Sequence, residues 1–223
     1  MSSSLHQSEV VKHLIIANVI FFVLFCMGAS PLNKFFPVLA LWYFDAPFFQ
    51  PWQLITHFFM HGSFMHIFFN MYALYLFGTV LEKVWGAKRF VIFYFVTGTV
   101  AAILYNIIGG IEYYLQFGSM LPYTTGALND NQFVPMIGAS GAVFGLLTAF
   151  GMLFPNTELR LLFPPIALKA KHFVLIYIGI ELFLSFKSFG GDNIAHFAHV
   201  TGALSGFLLV KYWQKTSTNF SAS

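Results

Sequence analysis

Ser140 stands in the stretch MIGASGAVFG near the start of a long apolar run, with glycines at 138, 141 and 145. A hydroxyl in hydrocarbon needs a hydrogen-bond partner or a task, and glycines so placed let another backbone come close. His199 is the complementary group. A neutral imidazole takes the Oγ proton as a carbonyl is attacked and returns it to the leaving amine, which is the minimum for nucleophilic catalysis. His66 and Asn70 are four apart, hence on one helical face. Both carry N–H donors of the kind that stabilise an oxyanion, worth roughly 2.7–4 kcal/mol per donor. Each pair also has a structural reading, because polar side chains hydrogen-bond between helices in membranes. Nucleophile, base and donors at one depth form a fuller constellation than such a contact needs.

These residues meet only if the elements carrying them do. The chain is 58% hydrophobic and 9% charged, with 30 phenylalanines in 223 residues and a mean hydropathy of +0.74. That excludes a soluble domain of this size and reads as a membrane protein. A spanning helix needs roughly 20 mostly apolar residues, and six candidates occur, at 13–30, 58–81, 90–111, 135–154, 172–189 and 194–213. The expected organisation is a short cytoplasmic N-terminus (1–12), an all-α six-helix membrane domain (13–213) and a polar tail (214–223). No repeat, low-complexity segment or soluble domain is left to carry function. The first span followed by CMGAS also fits a signal peptide, an alternative that leaves the site untouched. Cys26 is the only cysteine, so no intrachain disulfide is expected.

Lys and Arg set the orientation. With the N-terminus inside, nine of the 11 fall on the cytoplasmic side, against Lys34 and Lys187 outside. Both termini are therefore expected inside. The charges sit in short loops beside spans rather than in one patch, which gives no reason to expect nucleic acid as a partner. Trp42 and Trp52 then mark the outer interface, Trp85 and Trp213 the inner one. Even-numbered spans run from outside to inside. HGSFMHIFFNM (61–71), GASGAVFG (138–145) and AHFAHVTGALSG (195–206) thus share a depth in the outer half of the bilayer. On a wheel of about 100° per residue, His199 lies about 20° from Gly206 and about 60° from Gly202. Packing the stripe of Ala198, Gly202 and Gly206 against Gly141 and Gly145 of span four brings His199 to Ser140. His196, about 80° and 120° from the same two glycines, is the less favoured base and is expected to meet loop groups or water.

GASG in span four, AHxxG at 198–202, HxxxxHxxxN from His61 to Asn70 and the order of the spans resemble the rhomboid intramembrane serine proteases, over about residues 50 to 210. The resemblance implies Ser140 as nucleophile, His199 as general base and acid, and His66 and Asn70 as oxyanion donors, with Gly138 allowing the tight backbone before the serine. It also implies a membrane-embedded or interfacial loop at 31–56, a mobile cap at 188–193, a lateral gate at span five and transmembrane protein substrates in the bilayer, with no cofactor. Three departures stand out. Trp52–Gln53 occupies the place of a frequent Trp-Arg pair, Phe144 that of a tyrosine often stacked under the histidine, and EKVWG (82–86) lacks the usual following arginine.

Other residues read more plainly. His57 with His61, and His196 with His199, are spaced like metal ligands, but neither pair carries an HExxH glutamate or a Cys cluster. No metal is expected. Glu181 reads as a buried, hydrogen-bonded carboxylic acid without an evident second member, and Phe183, Phe186 and Phe189 as packing or lipid contacts. A transporter would show paired broken spans and internal symmetry, and none is found. The expected function is a serine endopeptidase cutting transmembrane segments near the outer face of the bilayer, in a multi-pass protein of a bacterial cell membrane. The alternative is a catalytically inactive rhomboid-like protein that holds transmembrane clients. Neither the substrate nor the oligomeric state is legible in the sequence.

Overall fold

The computed structural model describes residues 9–27, 31–127, 134–160, 166–187 and 193–220. The expected cap at 188–193 lies outside the described residues except for Asn193, as do residues 1–8 and 221–223 of the expected termini and 28–30 of the first span.

The chain is mostly helical. Helix α1 (Glu9–Phe21) runs on as a π-helical turn, Phe22–Cys26. Its first N–H groups have no acceptor within the helix, and the buried Glu82 carboxylate takes two of them, from Val10 and Val11, at 3.0 Å each. Helix α2 (Phe64–Ala73) starts where the Ser63 hydroxyl accepts the His66 N–H at 3.2 Å, an N-cap. It continues through a π turn, Leu74–Gly78, into α3 (Thr79–Phe117). Within α3, Gly86 leaves the helical region at φ 76° and ψ 163°, a conformation open to glycine. A Cβ on Gly78 would lie 3.3 Å from the Phe90 ring. Twelve residues of straight helix would separate the two by about 18 Å, so the chain doubles back at Gly86.

Helix α4 (Ser140–Leu153) occupies the centre, with every residue from Gly141 to Gly151 buried. A short antiparallel hairpin, β1 (Glu158–Arg160) and β2 (Ala167–Lys169), leads to α5 (Ala170–Lys187) and α6 (Asn193–Phe220). The hairpin and an isolated bridge between Leu41 and Met136 are the departures from an all-α chain among the described residues.

Two boundaries differ from the apolar pattern. Span two was expected from residue 58, but His57–Phe59 is a 3-10 turn and α2 begins only at Phe64. Span four was expected from 135, but Met136 instead forms an antiparallel bridge to Leu41, with N–H···O distances of 2.9 and 2.7 Å. Apolar composition marks what sits in hydrocarbon; it does not distinguish helix from an extended segment buried against other protein. Among the described residues, the runs Glu9–Cys26 and Phe64–Phe117 are long and apolar enough to cross a bilayer. Phe64, Phe69, Ile111, Leu175, Phe183 and Leu208 are exposed, which suits lipid and not water.

Helices α4 and α6 approach through glycine, as the small-residue stripes require. A Cβ on Gly202 would collide with the carbonyl oxygen of Gly141, and one on Gly206 would lie 2.7 Å from that of Gly145. On its other side α4 meets α3, where a Cβ on Gly141 would lie 2.8 Å from the Ala101 methyl and one on Gly145 2.8 Å from the Thr97 hydroxyl.

Gly202→Ala must therefore push α6 away from α4, and overpacking of this kind costs about 1–3 kcal/mol. Gly179 has nothing within 4 Å of a Cβ, so Gly179→Ala is the matched control. Thermal unfolding in detergent is expected to show a clear loss for Gly202→Ala and none for Gly179→Ala. Equal melting temperatures would mean that the helices have room to spare.

Candidate active site

Ser140 is the first residue of α4. Its position at a helix N-terminus surrounds it with N–H groups lacking intrahelical acceptors and with the positive end of the helix dipole. From α6, His199 comes within reach across the glycine contact, and the Ser140 hydroxyl donates to His199 Nε2 at 2.8 Å. The histidine is held on two further sides. Its Nδ1–H donates to Glu181 Oε2 of α5 at 2.9 Å. The Phe144 ring, one turn after Ser140, lies against its face with centroids 4.4 Å apart and planes 8° from parallel. Phe144 in turn stacks on Tyr177 of α5 at 5.3 Å and 11°. Phenylalanine in the tyrosine's usual place thus keeps the stack and gives up only a phenolic hydroxyl.

Glu181 does more than expected. Its Oε2 also accepts the Nδ1–H of His196 at 2.6 Å, so the buried acid does have partners, and both are histidines of α6. His196 accordingly meets Glu181 rather than the loop groups expected of it. The sequence held no signal for this: a single acid in an evenly apolar span has no partner pattern that would fix its rotation against α6. Glu181, His196 and His199 offer ligand atoms within 4.8 Å of one another. Their contacts of 2.6 and 2.9 Å are hydrogen-bond lengths, shorter than the ~3.3 Å between ligand atoms of a tetrahedral zinc bound at about 2.0–2.1 Å.

His66 and Asn70 line the same cavity as Ser140 and His199, a cleft of about 1010 Å³ between α2 and α5. His66 Nδ1 accepts the Gly62 N–H in a long hydrogen bond of 3.4 Å, which leaves Nε2 as the N–H donor. That nitrogen lies beside Gly138: a Cβ there would sit 2.7 Å from it. Gly138 has φ 107°, in the region that favours glycine. Asn70 is buried and gives one amide hydrogen to the His66 carbonyl at 2.9 Å, leaving the other free. His57 and His61 do not act as a pair. His57 Nδ1–H donates to the Gln53 carbonyl at 2.7 Å, whereas the His61 ring stands edge-on to His66 with centroids 4.9 Å apart.

The segment before α2 braces the approach to Ser140. The His57 carbonyl accepts the Gly138 N–H at 2.9 Å. Gln53, fully buried, accepts from the Trp42 and Gln50 N–H groups at 3.3 and 3.1 Å and donates to the Phe48 carbonyl at 2.9 Å. A neutral amide thus stitches the loop where an arginine was the more familiar choice. Beyond it, Asp45 accepts the Tyr123 N–H at 2.7 Å and that of Thr124 at 3.1 Å.

A family model for the Rhomboid domain matches residues 49–215. The chain is 33% identical over 160 residues to the putative rhomboid protease YdcA of Bacillus subtilis, covering 71% of this chain and 65% of that protein. It is 28% identical over 159 residues to rhomboid protease GluP of the same organism, covering 70% of this chain and 25% of that one. With rhomboid protease GlpG of Haemophilus influenzae it shares 24% identity over 160 residues, covering 71% and 68% of the two chains. The chain thus spans just under two thirds of YdcA and a quarter of GluP.

Gly138→Ala places a methyl in a backbone conformation that costs about 1–3 kcal/mol for other residues and drives it into His66. The expected outcome is a loss of thermal stability of that size in detergent. An unchanged melting temperature would show that the stretch before Ser140 tolerates a side chain.

Proposed function

The chain belongs to the rhomboid family, and from that membership we propose that it is an intramembrane serine endopeptidase. The observation that carries the reading is the Ser140 Oγ to His199 Nε2 hydrogen bond of 2.8 Å, made inside a cleft that also holds His66 and Asn70. Ser140 Oγ attacks the scissile carbonyl carbon while its proton passes to His199 Nε2. The carbonyl oxygen becomes an oxyanion, which takes hydrogen bonds from His66 Nε2, the free Asn70 amide hydrogen and the N–H groups at the start of α4. Collapse breaks the C–N bond, and the leaving amine takes the proton from Nε2. Water then attacks the acyl-serine and gives a proton to Nε2, which returns it to Ser140 Oγ as the acid departs.

Length supports a site below the membrane surface. Helix α4 has 14 residues, about 21 Å, against a hydrocarbon core of about 30 Å. With its cytoplasmic end near the inner interface, Ser140 falls inside the outer half. The break at Gly86 and the Lys and Arg bias support a reading with six crossings and both termini cytoplasmic, in which the 31–56 segment rests at the outer interface. Substrate is a transmembrane segment of another protein. It enters between α2 and α5, where the cleft opens, and leaves its helix there, since helical backbone groups are already paired. A client-binding protein without activity would lack a member of the Ser140–His199 pair, and both are present.

The test is cleavage of a model transmembrane substrate in liposomes. Ser140→Ala is expected to insert and fold normally, because one interhelical hydrogen bond is worth only about 1–2 kcal/mol, and to cleave nothing. Cleavage at the wild-type rate would sink the assignment. His66→Ala and Asn70→Ala each remove one donor among several, so kcat is expected to fall about 10²- to 10³-fold in each. Unchanged kcat in both would make these residues structural.

A further inference from the structure

We propose that Glu181 is the positioning residue of the site, the acid that holds His199 in the tautomer and ring orientation the serine needs. The inference rests on the protease reading above.

Stacking alone does not orient His199. A half-turn about its Cβ–Cγ bond keeps the ring in the same plane, still parallel to Phe144, but exchanges Nε2 with Cε1 and Nδ1 with Cδ2. The stack cannot tell the two apart. Nor does it choose between tautomers, and an imidazole with its proton on Nε2 could not accept from Ser140 Oγ. The 2.9 Å hydrogen bond from Nδ1–H to Glu181 Oε2 decides both: it selects one of the two ring orientations and keeps the proton on Nδ1, which leaves the Nε2 lone pair facing Ser140 at 2.8 Å.

Glu181 is itself held. It is buried in α5, and His196 Nδ1–H donates to the same oxygen at 2.6 Å. A carboxylate in a membrane interior is costly unless it is paired, and a contact serving only to join α5 to α6 could be made by a neutral side chain. The negative charge has a specific use. When Ser140 gives its proton to Nε2, His199 becomes an imidazolium in a place of low dielectric, and an oxygen 2.9 Å away carries the opposite charge. The proton transferred stays on Nε2 and the Nδ1 proton stays on the histidine; Glu181 remains ionised throughout, the role an acid plays behind a catalytic histidine.

The competing reading makes Glu181 a structural link between helices, with His196 as its true partner. Glu181→Gln separates the two. The glutamine amide can donate to Nδ1, which pushes the His199 proton onto Nε2. By analogy with the loss when such an acid is made neutral, kcat is expected to fall about 10²- to 10⁴-fold. KM should stay within about threefold, since ground-state binding is untouched. Glu181→Asp, which keeps the charge, is expected to recover at least about tenfold of that loss. A structural link predicts instead that activity falls only in step with melting temperature and that Glu181→Asp, with its shorter reach, is no better than Glu181→Gln.

A measurement on the unaltered protein stands beside these and does not depend on any Glu181 variant folding. ¹⁵N NMR of histidine-labelled protein near neutral pH, with His199 assigned by the loss of its signals in His199→Ala, is expected to find Nδ1 protonated and Nε2 bare. Nε2 protonated and Nδ1 bare, or a Glu181→Gln enzyme with wild-type kcat, would overturn the role of Glu181. Should that happen while Ser140→Ala remains dead, the protease reading stands. Cleavage by Ser140→Ala would bring down both.

Discussion

The contact between Gly202 and the Gly141 carbonyl sets how closely α6 approaches α4, and the spacing of every group in the site follows from it. Two helices carrying ordinary side chains at their crossing pack with axes about 8–10 Å apart. Here neither crossing position has a side chain, and a Cβ on either Gly202 or Gly206 would strike the backbone of α4. Without water to drive helices together, association in a membrane depends on such close backbone contact. The same contact carries His199 to the top of α4, where a side chain as short as serine can reach its Nε2. A wider crossing would leave the pair too far apart for a 2.8 Å hydrogen bond.

The second constraint is the shortness of α4. It is buried on all sides and has 14 residues, against the roughly 20 of a full-length span. In the orientation proposed above, the extended stretch before it enters the membrane region as non-helical backbone, tolerated there only where protein satisfies its polar groups. The loop ahead of α2 does that work. Leu41 pairs with Met136, the His57 carbonyl takes the Gly138 N–H, and Gln53 holds the loop that presents them. The positive φ of Gly138 turns the chain into the helix beside His66. Hydrogen bonds in one segment thus secure the backbone geometry of another more than 70 residues away in sequence.

The meeting of these residues was legible in part: helical periodicity and the 198–202–206 stripe turn His199 toward Ser140, and the spacing of four puts His66 and Asn70 on one face, where the structure lines one cleft with all four. Their chemical roles were not legible in the same way, since each pair also has a structural reading. The approach of α4 to α6 follows from glycine spacing alone. What escaped is what periodicity does not encode. Glu181 lies in an evenly apolar helix, so the wheel gives no face to align with His196 and His199. The start of α2 was set too early because the 3-10 turn at His57–Phe59 is as apolar as the helix after it. Gln53 gave no hint that a neutral amide would use its whole capacity, accepting from two backbone N–H groups and donating to two carbonyls.

The central claim is that the glycine-mediated approach of α6 to α4 makes Ser140 a nucleophile activated by His199. Its most direct measurement is covalent labelling of the detergent-solubilised protein by a fluorophosphonate, with the adduct located by peptide mass spectrometry. The account predicts modification of Ser140 in the wild-type chain and none in His199→Ala. Labelling at another serine, or equal labelling of Ser140 when His199 is absent, would contradict it.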